Sequence, residues 1–229
     1  VVGTAVGART GARYADTGRV LDAELAALQV QQEDLFDYGA LSLLSGGLVK
    51  GEKLERFVTS HVRARTIEQL KVPFAAVAVE LRTGQTAVFE GGPVARAVHA
   101  SAAVPGVFVP VEVDGVTYVD GGVTAPVPAA IARRKGADVV IAVAIPAAVP
   151  ADSPRTPVGV VLHTVSIMAA EIGRLHASEA DVVIEPFVGD VAYDDFGQAK
   201  RLIEAGEEAA RAALPRIRAA LAAGHAPAR

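Results

Sequence analysis

The sequence predicts an α/β fold in three layers, with a mostly parallel central sheet and helices on both faces. Short apolar runs typical of strands alternate along the chain with amphipathic helical patterns. The run over 73–81 is apolar along most of its length, as in a strand covered on both faces. The chain has 229 residues, a suitable length for one domain with a full core. We therefore expect a single domain over 1–229, with a frayed tail at 224–229.

The amino-terminal half starts inside a strand, so we expect the chain to lack its true beginning. Helices that end near glycines are predicted next, over 10–44 and 51–70. The strand over 73–81 then turns into a partner at 86–89. A short helix over 93–103 precedes a hairpin whose strands, 107–113 and 116–119, flank Asp114-Gly115.

The carboxy-terminal half repeats the strand–helix alternation. Pro126 opens a helix that ends near Gly136, with proline at its start and glycine at its stop. We expect a buried strand over 139–145 and an exposed loop over 146–157, which holds four prolines. A long helix over 158–180, a short strand over 182–184 and a terminal helix over 197–223 complete the predicted elements.

The composition narrows the class of function. Hydrophobic residues make up 51% and charged residues 21%, as in a globular protein. A net charge of −4 gives no reason to expect nucleic acid. The chain has no cysteine, which excludes disulfides, thiol catalysis and cysteine-based zinc sites. No apolar run reaches the roughly 18–20 residues of a membrane-spanning helix, and we expect a cytoplasmic location.

The opening stretch, Val1 to Ala8, is the most informative part of the sequence. Two β-branched residues run into Gly3-Thr4-Ala5-Val6-Gly7, and a helical pattern follows. This is the outline of a nucleophile elbow, the strand–turn–helix with pattern G-x-S-x-G. We expect a Cβ at either glycine to clash, so that the turn presents the central side chain. That residue is Ala5, not serine.

A second segment, 98–122, makes the pattern more specific. Its sequence, VHASAAVPGVFVPVEVDGVTYVDGG, leads through a hairpin into Asp120-Gly121-Gly122. Together with the elbow and the segment 126–145, it resembles the patatin-like phospholipases. The tail, with Asp195-Phe196 and the run 203–206, resembles their bacterial branch. The resemblance spans most of 1–214 and implies a Ser–Asp dyad that hydrolyses lipid acyl esters through an acyl-enzyme.

The resemblance assigns roles to individual residues. Asp120 is the expected general base, and Gly121 and Gly122 would let the backbone carry it close to the nucleophile. Asp120 ends a strand and precedes a loop into a helix, where α/β sheets place their ligands. The backbone N–H of Val6 is the expected oxyanion donor, and no metal or organic cofactor is implied.

Two departures from the family's pattern predict that the chain is inactive or nearly so. Ala5 stands at the nucleophile position, and loss of such a serine lowers turnover by about 10⁶-fold in subtilisin. The family's glycine-rich oxyanion loop lies before the elbow, on a strand that this sequence does not contain. The hypotheses are therefore an acylhydrolase whose serine was replaced, a natural non-catalytic relative that binds acyl chains or a partner, and an unrelated nucleotide-binding α/β protein.

Other residues are weaker candidates for the site. Thr4 neighbours the apex, and Ser101 with His99 superficially suggests a Ser–His pair, but no sharp glycine-flanked turn surrounds Ser101. The remaining histidines have no metal-ligand spacing: His61, His163, His176 and His225.

Three further questions remain open from the sequence. Arg9 and Arg13 are unexpected in a helix that should be buried, and are either surface residues of a rotated helix or groups that face the site. The stretch 21–48 is either a cover over an acyl pocket or a plain packing helix. The expected partner is a lipid or ester substrate, with transient contact to a membrane surface through apolar rims. The sequence leaves the oligomeric state open.

Overall fold

The computed structural model describes residues 1–35, 49–146, 157–189, 191 and 195–224. Their contacts divide the chain into two compact units, Val1–Ala125 and Pro126–Arg229. Each unit combines strands and helices, so the predicted α/β class is confirmed. The single domain over 1–229 stays a prediction, and the expected frayed tail lies outside the described residues beyond 224.

The first unit is built on a five-stranded sheet that is mixed rather than mostly parallel. Only β1 and β2 run parallel, whereas β2–β3, β2–β5 and β4–β5 are antiparallel pairs. The physical reason is local, because β4–β5 and β2–β3 are joined by short turns that reverse the chain. The strands are β1 (Val2–Thr4), β2 (Ala75–Glu80), β3 (Thr86–Phe89), β4 (Val111–Val113) and β5 (Val116–Asp120).

Strand β2 is the centre of this sheet. Five of its six residues, Ala75 to Val79, are buried, which confirms the prediction of a strand covered on both faces. One edge of β2 pairs with β3 over Ala76 to Val79. The other edge is therefore shared by two strands, with β1 along Ala75 to Val77 and β5 along Ala78 to Glu80.

The helices of the first unit differ from the prediction at their bounds. The single helix predicted over 10–44 is divided, because Gly18 adopts a left-handed backbone (φ 71°) and caps the first helix by donating to the carbonyl of Tyr14. Residues 36–44 of that prediction, and residues 36–48 of the stretch proposed as a cover, lie outside the described residues. The helices are α1 (Val6–Thr17), α2 (Val20–Gln29), α3 (Gln32–Leu35), α4 (Glu52–His61) and α5 (Val94–Ser101).

Small residues let α1 lie close to the sheet. Its buried face consists of Ala8, Gly11, Ala12 and Ala15. A Cβ at Gly11 would lie 3.0 Å from the side chain of Val1. The middle of α1 therefore lies against the residue that precedes β1, with no room for a larger side chain.

The second unit contains a two-stranded parallel sheet with three helices. The predicted buried strand over 139–145 is shorter and only half-buried, since Val143 is 59% exposed while Ala142 and Ala144 are buried. The buried face packs with Val127 and Ala177, whereas Ile141, on the opposite face with Val143, is 40% exposed. The elements are α6 (Ala129–Arg134), β6 (Ile141–Val143), α7 (Pro157–Ala177), β7 (Val182–Ile184) and α8 (Ala199–Gly224).

Candidate active site

The turn at Ala5 has the backbone strain of a nucleophile elbow. Strand β1 ends at Thr4 and α1 begins at Val6, so one residue makes the whole change of direction. Ala5 has φ 52° and ψ −119°, a left-handed conformation that a residue with a Cβ rarely adopts. Such a conformation costs about 1–3 kcal/mol and persists only where the surroundings enforce it. The sharp strand-to-helix turn predicted from the glycine pattern is present.

The two glycines of the elbow are not equivalent. A Cβ at Gly3 would lie 2.5 Å from the carbonyl of Gly7 and 2.6 Å from the nitrogen of Ala8, so the predicted clash is confirmed there. The same prediction is wrong for Gly7, where a Cβ would meet nothing within 4 Å. The reason is that Gly7 lies on the exposed side of the first turn of α1, whereas Gly3 lies under it.

Asp120 lies at the point where β5 meets β1. On the shared edge of β2, Thr4 is paired with Val77 and Asp120 with Ala78. The carboxyl ends of β1 and β5 thus meet head-on, at register positions about 3.3 Å apart along the strand. Strand β5 occupies the edge ahead of Thr4, so the chain turns away from the sheet at Ala5. The predicted base and the predicted nucleophile position are brought together by this arrangement.

The carboxyl group of Asp120 is almost completely removed from water. Its side chain is 6% exposed, and its Oδ1 accepts a 2.5 Å hydrogen bond from the N–H of Gly122. Its Oδ2 is buried and has no hydrogen-bond partner among the described residues. Burial raises the pKa of Asp120 from 3.8 to about 7, and the Gly122 hydrogen bond opposes this only in part.

Gly121 and Gly122 hold the carboxyl in place by close approach. A Cβ at Gly121 would lie 2.2 Å from the carbonyl oxygen of Val77 and 3.1 Å from the methyl group of Thr4. A Cβ at Gly122 would lie 2.8 Å from Oδ1 of Asp120 and would push the carboxyl aside. The expected role of these glycines, to let the backbone carry Asp120 close to the elbow, agrees with these distances.

The first N–H group of α1 is available as a donor. The carbonyl of Ala5 accepts from Ala8 and Arg9, at 3.0 and 3.2 Å, whereas the N–H of Val6 has no acceptor within the described part of the chain. Unpaired N–H groups at a helix start favour negative charge. Val6 therefore has the position expected of an oxyanion donor.

The rival hydroxyl groups are engaged elsewhere. Thr4 Oγ1 donates to the carbonyl of Ala125 at 2.8 Å. Ser101 is fully buried, and its Oγ accepts the N–H of Ala5 at 3.0 Å. The ring of His99 bonds to Glu55, not to Ser101. Ser101 thus supports the strained backbone of the elbow, a contact that no sequence pattern indicated.

A partly buried polar network behind the elbow was not predicted. Glu55 of α4 accepts from His99 Nδ1 at 2.6 Å and from Arg96 at 2.7 Å, and both donors lie on α5. The hydrogen bond from His99, followed by that from Arg96, lowers the pKa of Glu55. Because α5 also carries Ser101, this network fixes the helix that supports Ala5. The spacing of Arg96 and His99, three positions apart on one helix face, is the signal that could have indicated a shared acidic partner.

The structure also answers the question of Arg9 and Arg13. Both are half-buried on the side of α1 that faces α2 and α4, so neither is a freely exposed surface residue. The Arg9 guanidinium lies 5.6 Å from the centre of the Phe57 ring of α4. Arg13 lies 3.6 Å from Asp16.

The described residues contain no group of three or more His, Asp or Glu side chains that could hold a metal ion. Among the histidines, His61 stacks on Phe57 at 4.1 Å, and His225 lies outside the described residues. Within the same part of the chain, no helix is both long and apolar enough to cross a membrane.

Comparison with known proteins gives a family match over the elbow and the aspartate. The family model described as patatin-like phospholipase matches residues 1–133, more than half of the chain and a range that includes Ala5 and Asp120. An uncharacterized NTE family protein of Mycobacterium tuberculosis is 35% identical over 145 residues, 63% of this chain. Another from the same organism is 28% identical over 239 residues, 93% of this chain. The chain spans 40% of the length of each of these relatives.

Proposed function

Because this chain belongs to the patatin-like phospholipase family, we propose that its site is built for hydrolysis of lipid acyl esters by a Ser–Asp dyad. Members of the family are typically acylhydrolases. The observation that carries the proposal is the buried, unpartnered Oδ2 of Asp120 at the strand end that meets the strained elbow. In this proposal Ala5 occupies the nucleophile position and Asp120 is the general base.

A serine at position 5 would complete the dyad with the groups already present. Its hydroxyl would donate to the carboxyl of Asp120, which has a pKa of about 7 and so accepts a proton near neutral pH. The oxygen would attack the ester carbonyl and form an acyl-enzyme, and the proton would pass from Asp120 to the leaving alcohol. The N–H of Val6 would stabilise the oxyanion. Water would then release the acid, with Asp120 again acting as base.

With alanine at position 5, the chain lacks the attacking oxygen. Removal of the nucleophile lowers turnover by about 10⁶-fold in a comparable serine hydrolase. We therefore propose that the chain itself is inactive and that it retains the geometry around a missing hydroxyl. The acyl length and the preferred lipid depend on residues outside this geometry.

The test is Ala5→Ser, measured first by covalent labelling with a fluorophosphonate probe and then by hydrolysis of short p-nitrophenyl esters. We expect mass spectrometry to place one adduct on the peptide that contains position 5. The unmodified chain should stay unlabelled, because Ser101 is buried and bonded to the elbow. Gly7→Ser is the matched control, since it places an accessible hydroxyl on the same helix turn but not at the apex.

The role of Asp120 as general base is tested in the Ala5→Ser variant. Ala5→Ser combined with Asp120→Asn should lose both labelling and ester turnover while it remains folded. The rate of the active variant should increase with pH up to about 7, where Asp120 becomes deprotonated, or somewhat lower, because the new hydroxyl donates to the carboxylate.

A folded Ala5→Ser variant without labelling or turnover would contradict the proposal. The second candidate function, a non-catalytic relative that binds acyl chains or a partner, would then be favoured, and Ala5 is the observation that supports it. The family match favours either of these over the nucleotide-binding alternative.

A further inference from the structure

Arg9 is half-buried as a whole, but one nitrogen of its charged guanidinium lies where water is excluded. Its Nη1 is fully buried and has no hydrogen-bond partner among the described residues. The same residues provide no carboxylate within ion-pair distance of its guanidinium. Burial lowers the pKa of Arg9, yet a guanidinium keeps its proton in proteins. The dyad does not use this charge.

The face of the Phe57 ring offers only partial compensation. The Arg9 guanidinium lies 5.6 Å from its centre, a weak cation–π contact that offers no hydrogen-bond acceptor of ordinary strength. A buried, unpaired hydrogen-bond donor on a charged group normally needs an acceptor. The site of Arg9 is therefore electrostatically incomplete.

A small cavity adjoins this guanidinium, and we call it the Arg9 cavity. It has a volume of about 20 Å³, enough for one occupant of the size of a water molecule. A second cation, Arg13, lines it, as does His61. The other lining residues are small, apolar or neutral and come from α1, α2, α4 and the residue that follows α4: Thr10, Ala23, Ala26, Ala27, Phe57, Val58 and Val62.

Water and a small anion are the candidate occupants of this cavity, and the charge of Arg9 favours the anion. A water molecule would accept a hydrogen bond from Arg9 but would leave its charge unbalanced. A phosphate or carboxylate group, with at least three heavy atoms, is larger than a cavity of about 20 Å³, whereas a single monatomic anion is close to a water molecule in size. Arg13 is already shared with Asp16, whereas no described acidic side chain lines the cavity to neutralise Arg9.

We propose that the Arg9 cavity binds one chloride ion, held by the guanidinium of Arg9. The ion would balance the buried charge and join α1 to α2 and α4. The N–H of Arg9 bonds to the carbonyl of Ala5, so the backbone of the residue that would hold the ion lies one helical turn from the elbow. This inference concerns binding and stability and does not depend on the hydrolase proposal.

The experiment compares the unmodified chain with Arg9→Met, which keeps the length of the side chain and removes its charge. Arg82→Met is the matched control, because Arg82 has an 84% exposed side chain. We measure the linewidth of the chloride NMR resonance, and the thermal unfolding midpoint in sodium chloride and in sodium gluconate at equal ionic strength. The unmodified chain and Arg82→Met should broaden the resonance and melt higher in chloride. Arg9→Met should lose both effects.

Two results would overturn the proposal. One is an equal chloride linewidth with Arg9→Met and with the unmodified chain. The other is an equal thermal unfolding midpoint of the unmodified chain in sodium chloride and in sodium gluconate. If Arg9→Met fails to fold, crystals of the unmodified chain grown in bromide decide the question. An anomalous peak beside the Arg9 guanidinium supports the proposal, and a cavity without such a peak contradicts it.

Discussion

The ionisation of Asp120 should make the chain less stable as the pH increases, and Asp120→Asn should remove this dependence. The pKa of Asp120 is about 7 in the folded chain, against 3.8 for a solvated aspartate. Between these values the unfolded chain has released the proton while the folded chain still binds it. Stability therefore falls as pH rises through this range, and the loss is complete above about pH 7.

The magnitude follows from the size of the pKa difference. A difference of about three pKa units corresponds to about 4 kcal/mol, at 1.36 kcal/mol per unit. No large correction for solvent screening applies, because the side chain is 6% exposed. Between about pH 4.5 and about pH 8.5, the free energy of unfolding should fall by about 3 kcal/mol of this total.

The assay is urea unfolding of the unmodified chain and of Asp120→Asn across this pH range. All other titrating groups are common to the two proteins, so they cancel in the difference between the two free energies of unfolding. The asparagine also leaves a buried N–H₂ group to be satisfied, which adds a destabilisation of about 1–3 kcal/mol that is independent of pH. We therefore expect the unmodified chain to lose about 3 kcal/mol of stability relative to Asp120→Asn between the acid and the alkaline end of this range.

Parallel pH profiles for the two proteins would refute this reasoning. They would mean that Asp120 has an ordinary pKa in the folded chain, and hence that its carboxyl is hydrated. A conservative substitution of an exposed acid, Asp138→Asn, serves as the control and should leave the profile unchanged.

Three further predictions concern the elbow and are tested by urea unfolding. Gly3→Ala should destabilise the chain by about 3 kcal/mol or more, because its Cβ would lie 2.5 Å from backbone atoms. Gly7→Ala should instead stabilise the chain by about 0.5–1 kcal/mol. Equal effects of the two substitutions on the free energy of unfolding would contradict the difference that we infer between these glycines. Ala5→Gly should stabilise the chain by about 1 kcal/mol, since glycine relieves the left-handed strain, and a loss of stability would show that the turn is unstrained. Ser101→Ala should destabilise it by about 1–3 kcal/mol because the N–H of Ala5 loses its acceptor, and Ser60→Ala, at an exposed site, is its control.

The elements that could be predicted from the sequence depend on local chemistry. The Asp114-Gly115 dipeptide predicts a hairpin, and the structure confirms it. Asp114 has φ 50° and Gly115 φ 79°, the two positive values that such a turn requires. The sharp turn at Ala5 is likewise predicted by the pattern of flanking glycines. The juxtaposition of Asp120 with this turn came from family resemblance, and the register on β2 supplies its physical basis.

The parts that could not be predicted depend on contacts distant in sequence. The support of Ala5 by Ser101 joins residues 96 positions apart, and the bond from His99 to Glu55 joins residues 44 positions apart. The orientation of β5 was also missed, because an apolar run looks the same in either direction along a sheet. The helix predicted through Gly18 was wrong because a periodic pattern resumed after the glycine, although its backbone is left-handed.

The open surroundings of Gly7 have a practical use in spectroscopy. The chain contains no cysteine, so Gly7→Cys would introduce a unique thiol, at an exposed position two residues from the apex of the elbow. The start of α1 should lower the pKa of that thiol and increase its reactivity toward maleimide dyes. A single fluorophore could thus be attached at the mouth of the site in one step. If the site binds acyl chains as we propose, the emission of this fluorophore would report their arrival.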